Sequence, residues 1–147
     1  LYAIKCYQSL KHIVPDRQKA LDHARNFDFA DWSSQLRTFV GKGAEPMIAL
    51  EGKEHKYSVE KHAKRLEIIL ENWEKILQII EEELPSVEEF EALLRTVGLP
   101  TSIEQIGIEK DKLPMTLKCT KDIRDKYVLT RLLWDLGILD EVCDNLD

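Results

Sequence analysis

The chain has 147 residues, 44% hydrophobic and 33% charged, a balance that fits one soluble helical domain with a sizeable core. Its formal charge of −6 argues against a nucleic-acid partner, because phosphate backbones select clustered Lys and Arg. Cys6, Cys119 and Cys143 are an odd set without C-x-x-C spacing, which suits a reducing cytoplasm, and no apolar run approaches the ~20 residues of a membrane span.

Leu1 to Ile13 opens the chain as a helix, with Tyr2, Cys6, Leu10 and Ile13 along one side. A start at Leu1, inside a run that already reads as helix, suggests a truncation or cleavage boundary. Pro15 suits the first turn of a second helix ending near Arg25, because it has no N–H to leave unbonded. A third helix is expected over Phe29 to Val40, stopped by Gly41 and Gly43, and a short one over Ala44 to Leu50.

The longest element is expected from Ser58 to Leu84. Ser58 is its N-cap, and Val59, Ala63, Leu66, Leu70, Trp73, Leu77, Ile80 and Leu84 form one stripe. At 1.5 Å per residue this helix would span ~40 Å. Ile68, Ile69, Ile76 and Ile79 widen the stripe beyond a narrow coiled-coil seam, so a core helix is the better reading.

Pro85 closes that helix, and Ser86 with Glu89 has capping-box spacing for the next, which runs to Val97 and stops at Gly98. Thr101 to Glu104 repeats the capping logic before a short helix ended by Gly107. Pro114 marks another start. From Thr120, the residues Ile123, Tyr127, Leu132, Leu133 and Leu136 describe a final long helix stopped by Gly137, and Leu139 to Leu146 forms a last turn. The expectation is one all-α domain spanning residues 1–147.

The chemistry-bearing residues are sparse. Gly41-Lys42-Gly43 lacks the spacing and preceding strand of a nucleotide-binding loop. His12, His23, His55 and His62 match no zinc pattern and read as surface or packing residues. The cysteines have no adjacent base in sequence, so no nucleophile is nominated. Arg124 and Tyr127, three apart on an expected helix, would share a face. The Arg could bind phosphate and the Tyr could line the same cleft, although pairing to a carboxylate and core packing is the simpler account.

Several runs resemble one known family. Val97-Gly98-Leu99-Pro100-Thr101, Arg124-Asp125-Lys126-Tyr127 and Leu132-Leu133-Trp134-Asp135-Leu136-Gly137 look like the C-terminal end of a bacterial sn-glycerol-1-phosphate dehydrogenase. Trp32, Phe39 to Ala44, Lys56-Tyr57-Ser58, Lys61 to Leu66 and Asn72-Trp73 extend the likeness over nearly the whole chain. This family belongs to the iron-containing alcohol dehydrogenase group, whose fold resembles dehydroquinate synthase.

The resemblance implies the all-helical C-terminal domain of such an enzyme, with an N-terminal NAD(H)- or NADP(H)-binding domain as its missing partner. It also implies a divalent metal, zinc or nickel, held by one Asp and two His. Neither that metal set nor the glycine-rich cofactor loop is found in these residues, so no catalytic, cofactor or metal role is carried onto any of them. The implied parent reaction interconverts dihydroxyacetone phosphate and sn-glycerol 1-phosphate. The chain alone is expected to be inactive and to need no cofactor, and a homodimer is a possible assembly. A free-standing helical interaction module is the competing expectation.

Overall fold

The computed structural model describes residues 1–146, and among them every regular element is helical. Helix α1 (Tyr2–Ser9) passes into a 3-10 turn over Leu10–His12, burying Cys6 and Leu10. Helix α2 (Arg17–Asn26) starts at Asp16, whose carboxylate accepts from the Lys19 amide at 3.0 Å. Helix α3 (Phe29–Val40) is capped in the same way by Asp28. Gly41 ends α3 at φ +64°, a region that glycine enters without steric cost. Helix α4 runs Ala44–Glu54, longer than the sequence suggested, and stops where His55 turns left-handed.

The expected 40 Å helix is two helices, α5 (Val59–Glu71) and α6 (Trp73–Glu83), divided at Asn72. The Asn72 side chain donates to the Ile68 carbonyl at 2.8 Å. Asn makes such local bonds in competition with the helix ladder, which is why it breaks the run. Of the expected stripe, Leu66, Trp73 and Ile80 are buried and Ala63, Leu70, Leu77 and Leu84 pack partly buried against the core; His62 and Ile69 join the buried face, while Val59, Ile68 and Ile79 are exposed. Helix α7 (Val87–Thr96) carries the complete Ser86–Glu89 capping box.

Beyond α7 the chain shortens its steps. The expected cap at Thr101 runs the other way: Gln105 Oε1 accepts from the Thr101 amide at 2.7 Å, ahead of a 3-10 turn over Glu104–Ile106. Helix α8 is Leu113–Cys119, with Pro114 in its first turn. The expected final long helix is absent. A 3-10 turn at Thr120–Asp122 and a non-helical segment through Tyr127 precede α9 (Leu129–Asp135), and α10 (Leu139–Asp144) follows.

Helix α9 is the centre of the fold. Every residue from Thr130 to Leu136 is buried, so no apolar stripe can mark its inner face. Around it α2 packs on α5, α8 on α10 and α3 on α4. Gly137, at φ +69°, lets the chain turn out of α9 against α2; a Cβ there would meet Ala20 Cα at 3.3 Å.

Candidate functional site

Two buried carboxylates organise the polar interior. Asp122, in the turn before the non-helical segment, accepts from Trp32 Nε1 at 2.8 Å, Tyr57 Oη at 2.6 Å and Arg131 Nη2 at 2.6 Å. Lys121 Nζ lies 3.3 Å from the same carboxylate and 3.2 Å from the centre of the Trp32 ring. Burial lowers the Lys121 ammonium to about 8, with Asp122 opposing that shift and Arg131 adding to it. The Arg131 guanidinium lies over the Tyr57 ring at 4.4 Å, a cation–π contact that offsets part of its desolvation.

Asp135, fully buried, holds the second cluster. Arg65 grips it with Nε at 3.0 Å and Nη2 at 2.8 Å, and Tyr127 Oη donates at 2.9 Å. Burial opposes the Arg65 charge, yet the bonds and charge of Asp135 outweigh it and raise the guanidinium. Burial and the Asp135 charge both push the Tyr127 hydroxyl up. The His62 ring meets the Asp135 carbonyl through Nε2 at 2.8 Å. Trp134 lies between the two clusters, edge-on to Phe27, Tyr57 and His62.

A cleft of about 180 Å³ opens beside both clusters, lined by Lys56, Arg65, Lys126, Tyr127 and Arg131 with the acids Glu54 and Asp125. Arg131 reaches it with unfinished bonding: Nη2 serves Asp122 and the Lys121 carbonyl, while Nε and Nη1 are buried without a partner. Burial and the charge of Arg131 lower the Lys56 ammonium. A larger cleft of about 620 Å³ lies between α2, α3, α8 and α10, floored by Trp32, Trp134, His23 and Lys121 and rimmed by Asp28, Asp31, Asp140 and Asp144. His23 Nε2 and Trp134 Nε1 are buried there without partners.

The two residues nominated from sequence are not on a helix, so the shared-face argument for them fails. Tyr127 does line the cationic cleft. Arg124 is exposed and outside the lining; its contribution is the carbonyl, which accepts from Lys56 Nζ at 2.7 Å. Sequence reasoning missed Arg65, Asp122, Arg131 and Asp135. The available signal was charge inside an apolar run, Thr130-Arg131-Leu132-Leu133-Trp134-Asp135-Leu136. Spacing alone would have paired Arg131 with Asp135 four residues on, whereas Arg131 pairs with Asp122 and Asp135 with Arg65.

The thiols are buried, and burial raises Cys6 and Cys119 to about 11 and Cys143 to about 12, which disfavours the nucleophilic thiolate. Among the described residues no group of three His, Cys, Asp or Glu side chains could hold a metal ion. The residues present therefore do not fit the metal that the family resemblance implies, and no catalytic step is assigned through it. No helix among them is long and apolar enough to cross a membrane. No family model, curated protein or solved structure matches the chain.

Proposed function

We propose that this chain is the helical domain of a metal-dependent, NAD(P)-linked dehydrogenase that interconverts dihydroxyacetone phosphate and sn-glycerol 1-phosphate. The observation that carries the reading is convergence. Lys56-Tyr57, His62, Arg65, Arg124 to Tyr127 and Trp134-Asp135, the runs behind the resemblance, meet in one network although His62 and Asp135 are 73 positions apart. In this reading the chain supplies a rigid wall beside the substrate, while the nicotinamide cofactor and the metal belong to the partner nucleotide-binding domain.

The test is turnover by a protein that joins this domain to such a nucleotide-binding domain. Loaded with zinc or nickel, it should oxidise NADH or NADPH in the presence of dihydroxyacetone phosphate, while the present chain alone should not. A folded, metal-loaded protein that fails to do so overturns the reading.

One observation favours the interaction-module reading instead. Helix α7 buries none of its residues, and Leu93, Val97, Leu99 and Ile106 are each more than half exposed. Sedimentation of the isolated chain bears on this reading: a dimer or a complex with a helical peptide supports it, and a strict monomer without such binding removes it.

A further inference from the structure

The formal charge of the chain is not spread evenly. Residues 73–112, from α6 to the start of α8, hold ten acidic and four basic side chains, so this one segment accounts for the −6 of the whole chain. The same segment exposes apolar side chains. Leu93 and Val97 stand one turn apart at the end of α7, Leu99 follows, and Ile106 is 60% exposed. Ile106 and Pro100, the neighbour of Leu99, also line an apolar cleft of about 350 Å³ together with Tyr2, Ile103, Ile108 and Leu117. The Tyr2 hydroxyl accepts from the Ile103 amide at 3.2 Å, which ties that wall of the cleft to α1.

We infer that this face, the α7 ridge with the cleft that continues it, is a docking surface for a basic amphipathic helix of a partner protein. The inference rests on the interaction-module reading and gives that reading a partner class. Scattered exposed apolar residues need no explanation, but a ridge running into an apolar cleft is an arrangement in which a helix can bury its own apolar side chains.

Charge decides what flanks those side chains. Glu83 and Glu88 are exposed and form no ion pair among the described residues. Glu89 stands one turn before Leu93, and Glu104 two positions before Ile106. Helix α1 brings cations to this side, Lys5 over the Tyr2 ring and Lys11 paired with Glu81. With these and the Leu1 amine at the cleft counted, ten acids still outnumber seven cations. The sign of that charge selects among occupants. A second copy would set the acidic face against itself, and nucleic acid or anionic lipid would meet the same repulsion. A helix with Lys or Arg beside its apolar face meets none.

The probe is a fluorescein-labelled peptide of about 18 residues, leucine along one helical face and lysine elsewhere. It is titrated with the whole chain and read by fluorescence anisotropy. The expected result is saturable binding that weakens as salt is raised. Leu93→Gln and Ile106→Gln, both at exposed positions, should each weaken it about tenfold, the loss expected for one apolar contact. Ile68→Gln, at a similarly exposed apolar position on α5, should leave it unchanged. The same composition in scrambled order should not bind, and a peptide with glutamate in place of lysine should bind about tenfold more weakly. Absent binding, equal binding of the scrambled peptide, or binding that neither Leu93→Gln nor Ile106→Gln weakens overturns the inference, as does an equal loss in Ile68→Gln. Equal binding of the glutamate peptide, or a dimer of the chain that Leu93→Gln dissociates, overturns the basic partner and leaves the interaction-module reading standing. A strict monomer that binds none of the helical peptides removes both.

Discussion

Lys121 shows how one residue can be both buried and charged. Its ammonium is enclosed between the Trp32 face and the Asp122 carboxylate, with the Lys118 carbonyl accepting at 3.2 Å. Those partners offset only part of the desolvation, so the folded chain binds the Lys121 proton less tightly than the unfolded chain does, about 8 against an ordinary 10.5. Between those values the unfolded state holds the extra proton, and stability from this group rises with pH. The buried thiols act in the opposite direction, but only once unfolded cysteines lose protons near 9.0. Unfolded cysteines already titrate between pH 8 and 9, so the lysine is isolated by comparison with Lys121→Met, in which the thiol contribution is the same. Urea midpoints of the native chain should include an increment of about 1 kcal/mol across that interval that Lys121→Met lacks. Parallel pH slopes for the two proteins would show that Lys121 does not titrate early. No sequence pattern marks this residue, because Lys121-Asp122 reads as an exposed charged turn until Trp32 and Tyr57 arrive from 90 and 65 positions away.

At the scale of elements, stability should be uneven. Helix α9 is buried on all sides, whereas α7 contributes no buried residue and depends on its ends. The Ser86 hydroxyl and the Glu89 carboxylate satisfy two amides that the first turn would otherwise leave open. Ser86→Ala should cost about 1 kcal/mol, and that cost should fall on local opening of α7. Hydrogen exchange of α7 amides should quicken by about fivefold while α9 amides keep their native rates. Equal protection of α7 and α9 in the native chain would refute this ranking. The capping box was legible because its signal is local: one Ser, one Glu and the three-residue step between them. The same holds for α3, whose bounds Phe29 and Val40 follow from an Asp before it and a glycine after it. The 123–128 segment was not legible for the complementary reason. Apolar spacing continues straight across it, and only tertiary bonding, Arg65 and Tyr127 to Asp135, shows why the chain leaves the helix before α9.

For the molecule as a whole, the question is whether the two carboxylate clusters and the apolar core fold as one unit. Trp32, Trp73 and Trp134 belong to a single cluster of buried side chains that also contains Leu10, Leu66 and Leu133. The clusters bind the C-terminal part to the rest through distant partners, Asp135 to Arg65 of α5 and Asp122 to Trp32 and Tyr57, so the buried carboxylates of the C-terminal part lose partners without the N-terminal part. Such dependence predicts one cooperative transition. Leu66 is a suitable probe, since it is fully buried and carries no polar group whose loss would confuse the result. Leu66→Ala should lower stability by about 2–5 kcal/mol, the range for emptying a leucine site in a packed core. The urea midpoint read from tryptophan fluorescence should fall together with the midpoint read from helical circular dichroism, with the denaturant slope unchanged. If fluorescence moves while part of the helical signal holds its original midpoint, the core is divided. In that case α6 and α7 would form a separate unit hinged at Asn72, the position where the Asn72 side chain holds the Ile68 carbonyl at 2.8 Å.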